Sequence, residues 1–367
     1  MSTANRSKYI DVMKGLLIIL VVIGHLPFFD YNSRTLTLIY SFHMPAFLII
    51  GGMLSHINES TELFTILYKR IKGTLIPYFL FYFISFFLVP IDNNEKLYAA
   101  IRTVISGIGH PIDAINLPLW FLTFYFVAMT AFEIIEWLSY KIKSLFTKSN
   151  SYLPVLLIHI IIIAPLMYFA YSYARIHKNP RLPFNFEIAI FCLLFVLFGK
   201  ILSAYIKKAL IEINDYKNLK IFISILSIIV IAVLIIYWYI FSMNNGRIDL
   251  NVRDYKNALF MYVDAILGFI IFTYFSYFIS LIPLISNILS SIGEYSLYIL
   301  AYHVPSTNFT YPYIISRLPA IVGTTLSHNS IISIILLTSF GIWFSLIMAL
   351  IHKLVTQFIE FAYPNRY

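Results

Sequence analysis

Predominantly apolar stretches of about twenty residues recur along the chain, roughly at 9–27, 36–55, 73–90, 118–138, 152–171, 186–206, 217–242, 258–280, 286–303 and 330–358. The segments between them hold most of the Lys, Asp, Asn and Pro. A helix needs ~20 apolar residues to cross the hydrocarbon of a bilayer, so the pattern predicts about ten transmembrane helices with both termini on one side. The fold class expected is all-α: a polytopic integral membrane bundle, one domain over residues 1–367 with no appended soluble domain. In the first run the stretch Gly15 to Gly24 follows Arg6, Lys8 and Lys14 as the h-region of a signal peptide would, but it ends in His25 with no small-x-small cleavage site, and it is read as a retained helix. No repeat of 20–50 residues is visible.

Composition supports the membrane reading. Of 367 residues, 60% are hydrophobic and only 12% charged, and mean hydropathy is +0.82; a soluble domain carries about 25% charge. The single cysteine, Cys192, lies in an apolar run, and no Cys/His spacing suggests a metal. The net charge of +9 would suggest nucleic acid in a soluble protein, but here it fits membrane orientation. With the N-terminus inside, 16 of the 26 Lys and Arg fall on the inner side, which predicts cytoplasmic termini. The longer outer segments, 91–117, 172–185, 243–257 and 304–329, carry aromatic residues and Pro near their borders and suit recognition on the outer face.

Ionisable residues inside the spans then need a reason. Lys14 and His25 are eleven positions apart, so on a helix they differ by only about 20° in direction and ~16 Å in height. They form a polar stripe, or else a lysine that snorkels inward and a histidine that caps the outer end. Span direction carries His25, His43 and His303 to a similar outer depth, and imidazole, with a pKa near 6.5, suits proton abstraction from a hydroxyl. His56, His110, His177 and His328 fall in predicted loops and His159 and His352 in other spans; these are read as structural or solvated. Lys69, Arg70 and Lys72 cluster at the inner mouth of the third span, near Lys14, and suit either positive-inside topology or a phosphorylated cytoplasmic donor. Asp11, three residues before Lys14, is placed to pair with it. Glu133, Glu136 and Asp264 are buried charges with no partner evident from sequence.

Specific strings sharpen this. RSKYIDVMKGLLIILVVIGH at 6–25 and SFHMPAFLIIGGMLS at 41–55 resemble the opening of the membrane-bound acyltransferase-3 family, especially its fucose 4-O-acetylase-like branch. The hallmark, Arg or Lys followed ten residues later by His, is met by Lys14 and His25, and the Phe-His-Met-Pro string by Phe42 to Pro45. RIKGTLIPYF at 70–79, PLWFLTFYF at 118–126 and GEYSLYILAYH at 293–303 follow in the same order. One departure is that relatives often carry Arg-x-x-Arg before Ile-Pro-Tyr, where this chain has Arg70 and Gly73.

The resemblance implies about ten helices, an acyl-CoA donor on the cytoplasmic side and acyl transfer to a carbohydrate hydroxyl on the outer side. The expected function is a membrane O-acetyltransferase acting on a surface polysaccharide or its lipid-linked precursor, in a bacterial cytoplasmic membrane, with acetyl-CoA as donor co-substrate and no metal. In that mechanism Arg70, with Lys69 or Lys72 and Lys14, holds the donor phosphates. His25 is general base or transient acyl carrier, with Lys14 and His43 completing the catalytic set. His303, Trp120 and Asp11 orient the reactants. A polytopic transporter or flippase is the rival of a different class, and transfer of succinyl or another acyl group is the rival within the fold.

Overall fold

The structure, a computed structural model, describes residues 8–26, 33–109, 115–147, 151–177, 181–212, 217–312 and 331–362. Its α-helices are α1 (Lys8–Gly24), α2 (Arg34–Met53), α3 (Leu63–Arg70), α4 (Ile76–Leu88), α5 (Asn94–Ser106), α6 (Trp120–Phe146) and α7 (Leu153–Ile176) in the first half. In the second they are α8 (Phe186–Phe191), α9 (Leu193–Glu212), α10 (Lys217–Asn245), α11 (Ala258–Ser280), α12 (Pro283–Glu294), α13 (Ser296–Pro305) and α14 (Ile331–Ala362). No strand occurs among the described residues beyond one isolated bridge, Asp249 to Asp254. Seven described helical segments are long and apolar enough to cross a membrane, or nine if each of two bent pairs is one span. The 17 residues of α1 stand at the short end of span length. The chain is thus an all-α polytopic membrane protein, and the expected ten spans are close without being reproduced one for one.

The departures have physical causes. The third span begins at Leu63, not near residue 73, because α3 continues into α4 through one wider turn, Ile71–Leu75, in which the Ile76 N–H bonds to the Ile71 carbonyl. Pro77 has no N–H for the Gly73 carbonyl and its ring would press on it, and the wider turn absorbs that conflict. The basic triplet therefore lies within a continuous helix and not at its mouth. The run 186–206 is broken at Cys192, with a bend of 55°, and the run 286–303 is broken at Tyr295, with a bend of 75°. The expected outer segment 91–117 contains α5, started by the Asn93 side chain accepting from the Lys96 N–H and stopped at Gly107 with φ of 67°.

Glycine sets how the core packs. The central helix α1 packs most extensively on α12, and also on α2, α11, α13 and α14. A Cβ on Gly15 would fall 2.1 Å from the Leu289 carbonyl oxygen, and one on Gly293 would fall 1.8 Å from that of Asp11. Gly52 and Gly199 bring α2 and α9 together in the same way, at 2.0 Å from Val196 O and 1.9 Å from Ile49 O. Helices in lipid gain little from hiding apolar surface from one another and associate through such close backbone approach. By contrast α7 and α10 from Ser227 on bury few of their apolar side chains, as lipid-facing helices do.

Candidate active site

Three helix segments deliver one histidine each to the same end of the bundle. His25 follows the last residue of α1, His43 lies in the first half of α2, and His303 in the second half of α13. In each, Nδ1 faces the carbonyl four residues back: Val21 at 2.8 Å, Ile39 at 2.7 Å and Ile299 at 2.8 Å. A carbonyl only accepts, so each Nδ1 donates and each neutral ring keeps its lone pair on Nε2. The rings of His25 and His303 meet edge to face at 5.1 Å, and the fully buried His303 Nε2 has no hydrogen-bond partner among the described residues. The ring of Tyr40 lies 4.8 Å from that of His43, and its hydroxyl donates to the Gly24 carbonyl at 3.3 Å, tying the end of α1 to α2.

His25 and His43 line a cavity of ≈ 50 Å³ together with Tyr40, Met44, Leu117 and Trp120. Its remaining wall is Ile248–Asn251, in the connection between α10 and α11. Arg247 covers the face of Tyr40 at 3.8 Å and stands 3.9 Å from Asp249. Burial pushes the Asp249 carboxyl above its usual range, which Arg247 opposes. The sequence had marked the outer segments as a recognition face, but nothing in it singled out Tyr40, Arg247, Asp249 or Asn251.

His303 is held from an unexpected direction. Pro305 has no N–H to offer the Ala301 carbonyl, and Asn116 Nδ2 donates to that carbonyl at 2.6 Å and to Ser85 Oγ at 2.8 Å. Tyr82 donates to the Asn116 carbonyl at 3.2 Å. One asparagine, just ahead of the Leu-Pro-Leu-Trp turn that starts α6, thus fixes α4, α13 and the approach to Trp120 relative to one another. A second wide turn, Ser306–Thr310, follows immediately.

Further along α6 lies a second polar centre. Glu133, fully buried, accepts Arg70 Nε at 2.7 Å, a second bond from Arg70 Nη2, and Ser55 Oγ at 3.2 Å. Glu136 pairs with Lys200 at 2.9 Å and accepts Tyr152 at 3.4 Å, while Lys200 also donates to the Ser55 carbonyl at 2.9 Å. The two carboxylates that lacked partners in the sequence are therefore neutralised, as burial in a membrane demands; Asp264 has Ser242 at 3.2 Å. Glu133 is thirteen residues beyond Trp120 on one continuous helix, or ~20 Å. Lys69 and Lys72 are exposed, Lys72 over the Tyr68 ring at 5.8 Å, and neither joins this network. Lys14 pairs with Asp11 at 3.2 Å, as their spacing suggested, and does not line the His25 cavity.

Of the other histidines, His159 stacks on Phe132 at 4.7 Å and His352 accepts or donates to Tyr302 at 2.6 Å; His110 and His328 lie outside the described residues. Among the described residues no group of three or more His, Cys, Asp or Glu stands ready to hold a metal. No curated protein and no solved structure matches the chain. A family model described as an acyltransferase domain matches residues 7–351, nearly the whole length, with Lys14, His25, His43, Arg70, Trp120 and His303 all inside the match. The chain belongs to the acyltransferase-3 family, the membrane-bound acyltransferases that its opening motif already resembled.

Proposed function

We propose that this acyltransferase moves an acetyl group from cytoplasmic acetyl-CoA to a hydroxyl of an extracytoplasmic surface polysaccharide or its lipid-linked precursor. The observation that carries the proposal is the orientation of His25: with Nδ1 committed to Val21, the basic nitrogen is the one left for a substrate, in a cavity shared with His43 and Trp120. As general base, Nε2 takes the hydroxyl proton while the hydroxyl oxygen attacks the thioester carbonyl, and the thiolate of CoA leaves with that proton. Alternatively Nε2 attacks the thioester first, the C–S bond breaks and the CoA thiolate leaves, and the acyl-imidazole holds the acetyl group until the sugar oxygen displaces it, the hydroxyl proton ending on the thiolate. His303, packed edge-on against His25, orients it, and His43, with its own Nδ1 given to Ile39, offers a second accepting Nε2 in the same cavity for the proton of the reacting hydroxyl.

The donor reading rests on the second polar centre. Arg70, held in place by Glu133, together with Lys69 and Lys72 on the same helix and Lys14 paired with Asp11, supplies cationic groups on the side opposite the histidines. The ~20 Å between Trp120 and Glu133 along α6 suits an extended pantetheine arm whose phosphates stay at the basic end. The fucose 4-O-acetylase-like branch is the part of the family whose strings this chain resembles, and it favours a sugar acceptor. The test is to incubate membranes carrying the protein with acetyl-labelled CoA and to weigh surface glycan from wild-type and deletion cells. Label on glycan and a mass increment of one acetyl group are expected. Unchanged glycan with a different acyl increment elsewhere would redirect the reading to another donor or acceptor.

A further inference from the structure

The wall Ile248–Asn251 closes the His25 cavity with chemistry unlike the rest of it. The other sides present imidazole, phenol, indole and apolar groups. This wall alone presents a carboxylate, Asp249, and a side-chain amide, Asn251. Asn251 is only 5% exposed, and its Oδ1 is buried with no hydrogen-bond partner among the described residues. A buried acceptor without a donor is costly, and Asn251, which carries it, is among the residues that line the cavity where the proposed reaction takes its hydroxyl.

The wall is also rigid. Asp249 and Asp254 exchange both backbone hydrogen bonds at 2.9 Å, and Asp249 Oδ1 accepts the Asn251 N–H at 3.0 Å. Arg181 Nη1 donates to the Asn251 carbonyl at 2.6 Å, and Arg253 is pinned to the His177 carbonyl at 2.7 Å and to the buried Glu187. The backbone that carries these two accepting side chains is therefore held in place in the wall of the cavity that His25 also lines. A ligand that satisfies both must bring O–H or N–H donors, and the neighbouring apolar surfaces of Trp120, Met44, Leu117 and Leu250 suit carbon-bound hydrogens. A neutral sugar ring has this combination, hydroxyls around its rim and C–H on its faces. At ≈ 50 Å³ the cavity takes about one or two water-sized groups, so the hydroxyl-bearing edge of a ring enters it, not a whole ring.

We propose that Asp249 and Asn251 form the acceptor subsite, accepting hydrogen bonds from the reacting sugar's hydroxyls so that one hydroxyl lies at His25 Nε2. This rests on carbohydrate as acceptor, and the experiment separates the two. Purified enzyme in detergent is given labelled acetyl-CoA and glycan extracted from cells lacking the enzyme, and KM is measured for each substrate. Wild-type enzyme that leaves no label on glycan overturns the carbohydrate reading and this subsite with it, before any variant is made. Given transfer, Asp249→Asn keeps an oxygen for the Asn251 N–H but loses the carboxylate, and Asn251→Leu loses the amide oxygen. Each is expected to raise acceptor KM about tenfold or more with donor KM unchanged. Asn251→Gln, which keeps an accepting amide oxygen and adds no charge beside Asp249, is expected to bind acceptor better than the leucine variant. Thermal unfolding of each variant reports whether the wall still folds, and Asn251→Ser replaces the leucine variant if that one does not. Folded variants with unchanged acceptor KM, or with donor KM raised equally, overturn the subsite.

Discussion

A backbone carbonyl accepts and never donates, and that one constraint assigns the tautomer of His25, His43 and His303 alike. The three rings are not equivalent, however: His25 and His43 line the cavity, whereas His303 is packed behind His25. Positioned proton transfer contributes about 10²–10⁴-fold, so His25→Ala is expected to lose transfer by at least ~100-fold per folded molecule. Expression and donor binding should stay near wild type. A variant retaining more than about a tenth of wild-type turnover would move the role to His43. Arg70 makes a different prediction because Glu133 is buried against it. Arg70→Ala leaves an unpaired carboxylate in the bundle, a defect of about 3–5 kcal/mol, and is expected to lower the unfolding temperature of the detergent-solubilised protein. Arg70→Ala with Glu133→Gln should recover most of that stability and still bind acetyl-CoA poorly. Recovery of donor affinity together with stability would make the pair purely structural.

At the scale of elements, the close helix contacts leave no room for a side chain. Gly293→Leu, set against the Asp11 carbonyl of α1, is expected to separate α1 from α12 and to yield aggregated or unfolded protein on size-exclusion chromatography; Gly73→Ala, where nothing lies within 4 Å, is expected to behave as wild type. Gly293 opens GEYSLYILAYH, one of the strings that carry the family resemblance, and its structural meaning is the approach to Asp11. The periodicity of apolar residues found α2 and α11 within about two residues and the existence of nearly every other span. It missed the bends at Cys192 and Tyr295, because hydropathy is insensitive to direction and the partner surface decides where a helix turns. It also started the third span late, because Lys69, Arg70 and Lys72 read as a boundary when only Arg70 turns inward to a carboxylate. The histidines were legible as motif residues on one level. The Arg70–Glu133 pair and the Asp249–Asn251 wall were not, since they join helices and loops far apart in sequence and neither partner has a distinctive spacing.

For the molecule as a whole, the inner bias of Lys and Arg predicts that both termini face the cytoplasm. A reporter fused after Tyr367 that is active only inside the cell is the expected result, and activity only outside would reverse the assignment of donor and acceptor sides. The proposed transfer of an acetyl group across the bilayer makes a second demand, which bears on the size of the His25 cavity. With ≈ 50 Å³ between His25, Met44, Leu117 and Leu250, there is room for about one or two waters and not for a file of them. At this point in the bundle the resting enzyme is then expected to insulate: the proposed acyl transfer would cross where ions and a file of water do not. Liposomes containing the protein should hold an imposed pH gradient as long as empty ones do, with and without acetyl-CoA, and enlarging the cavity by Leu117→Gly should be what makes them leak.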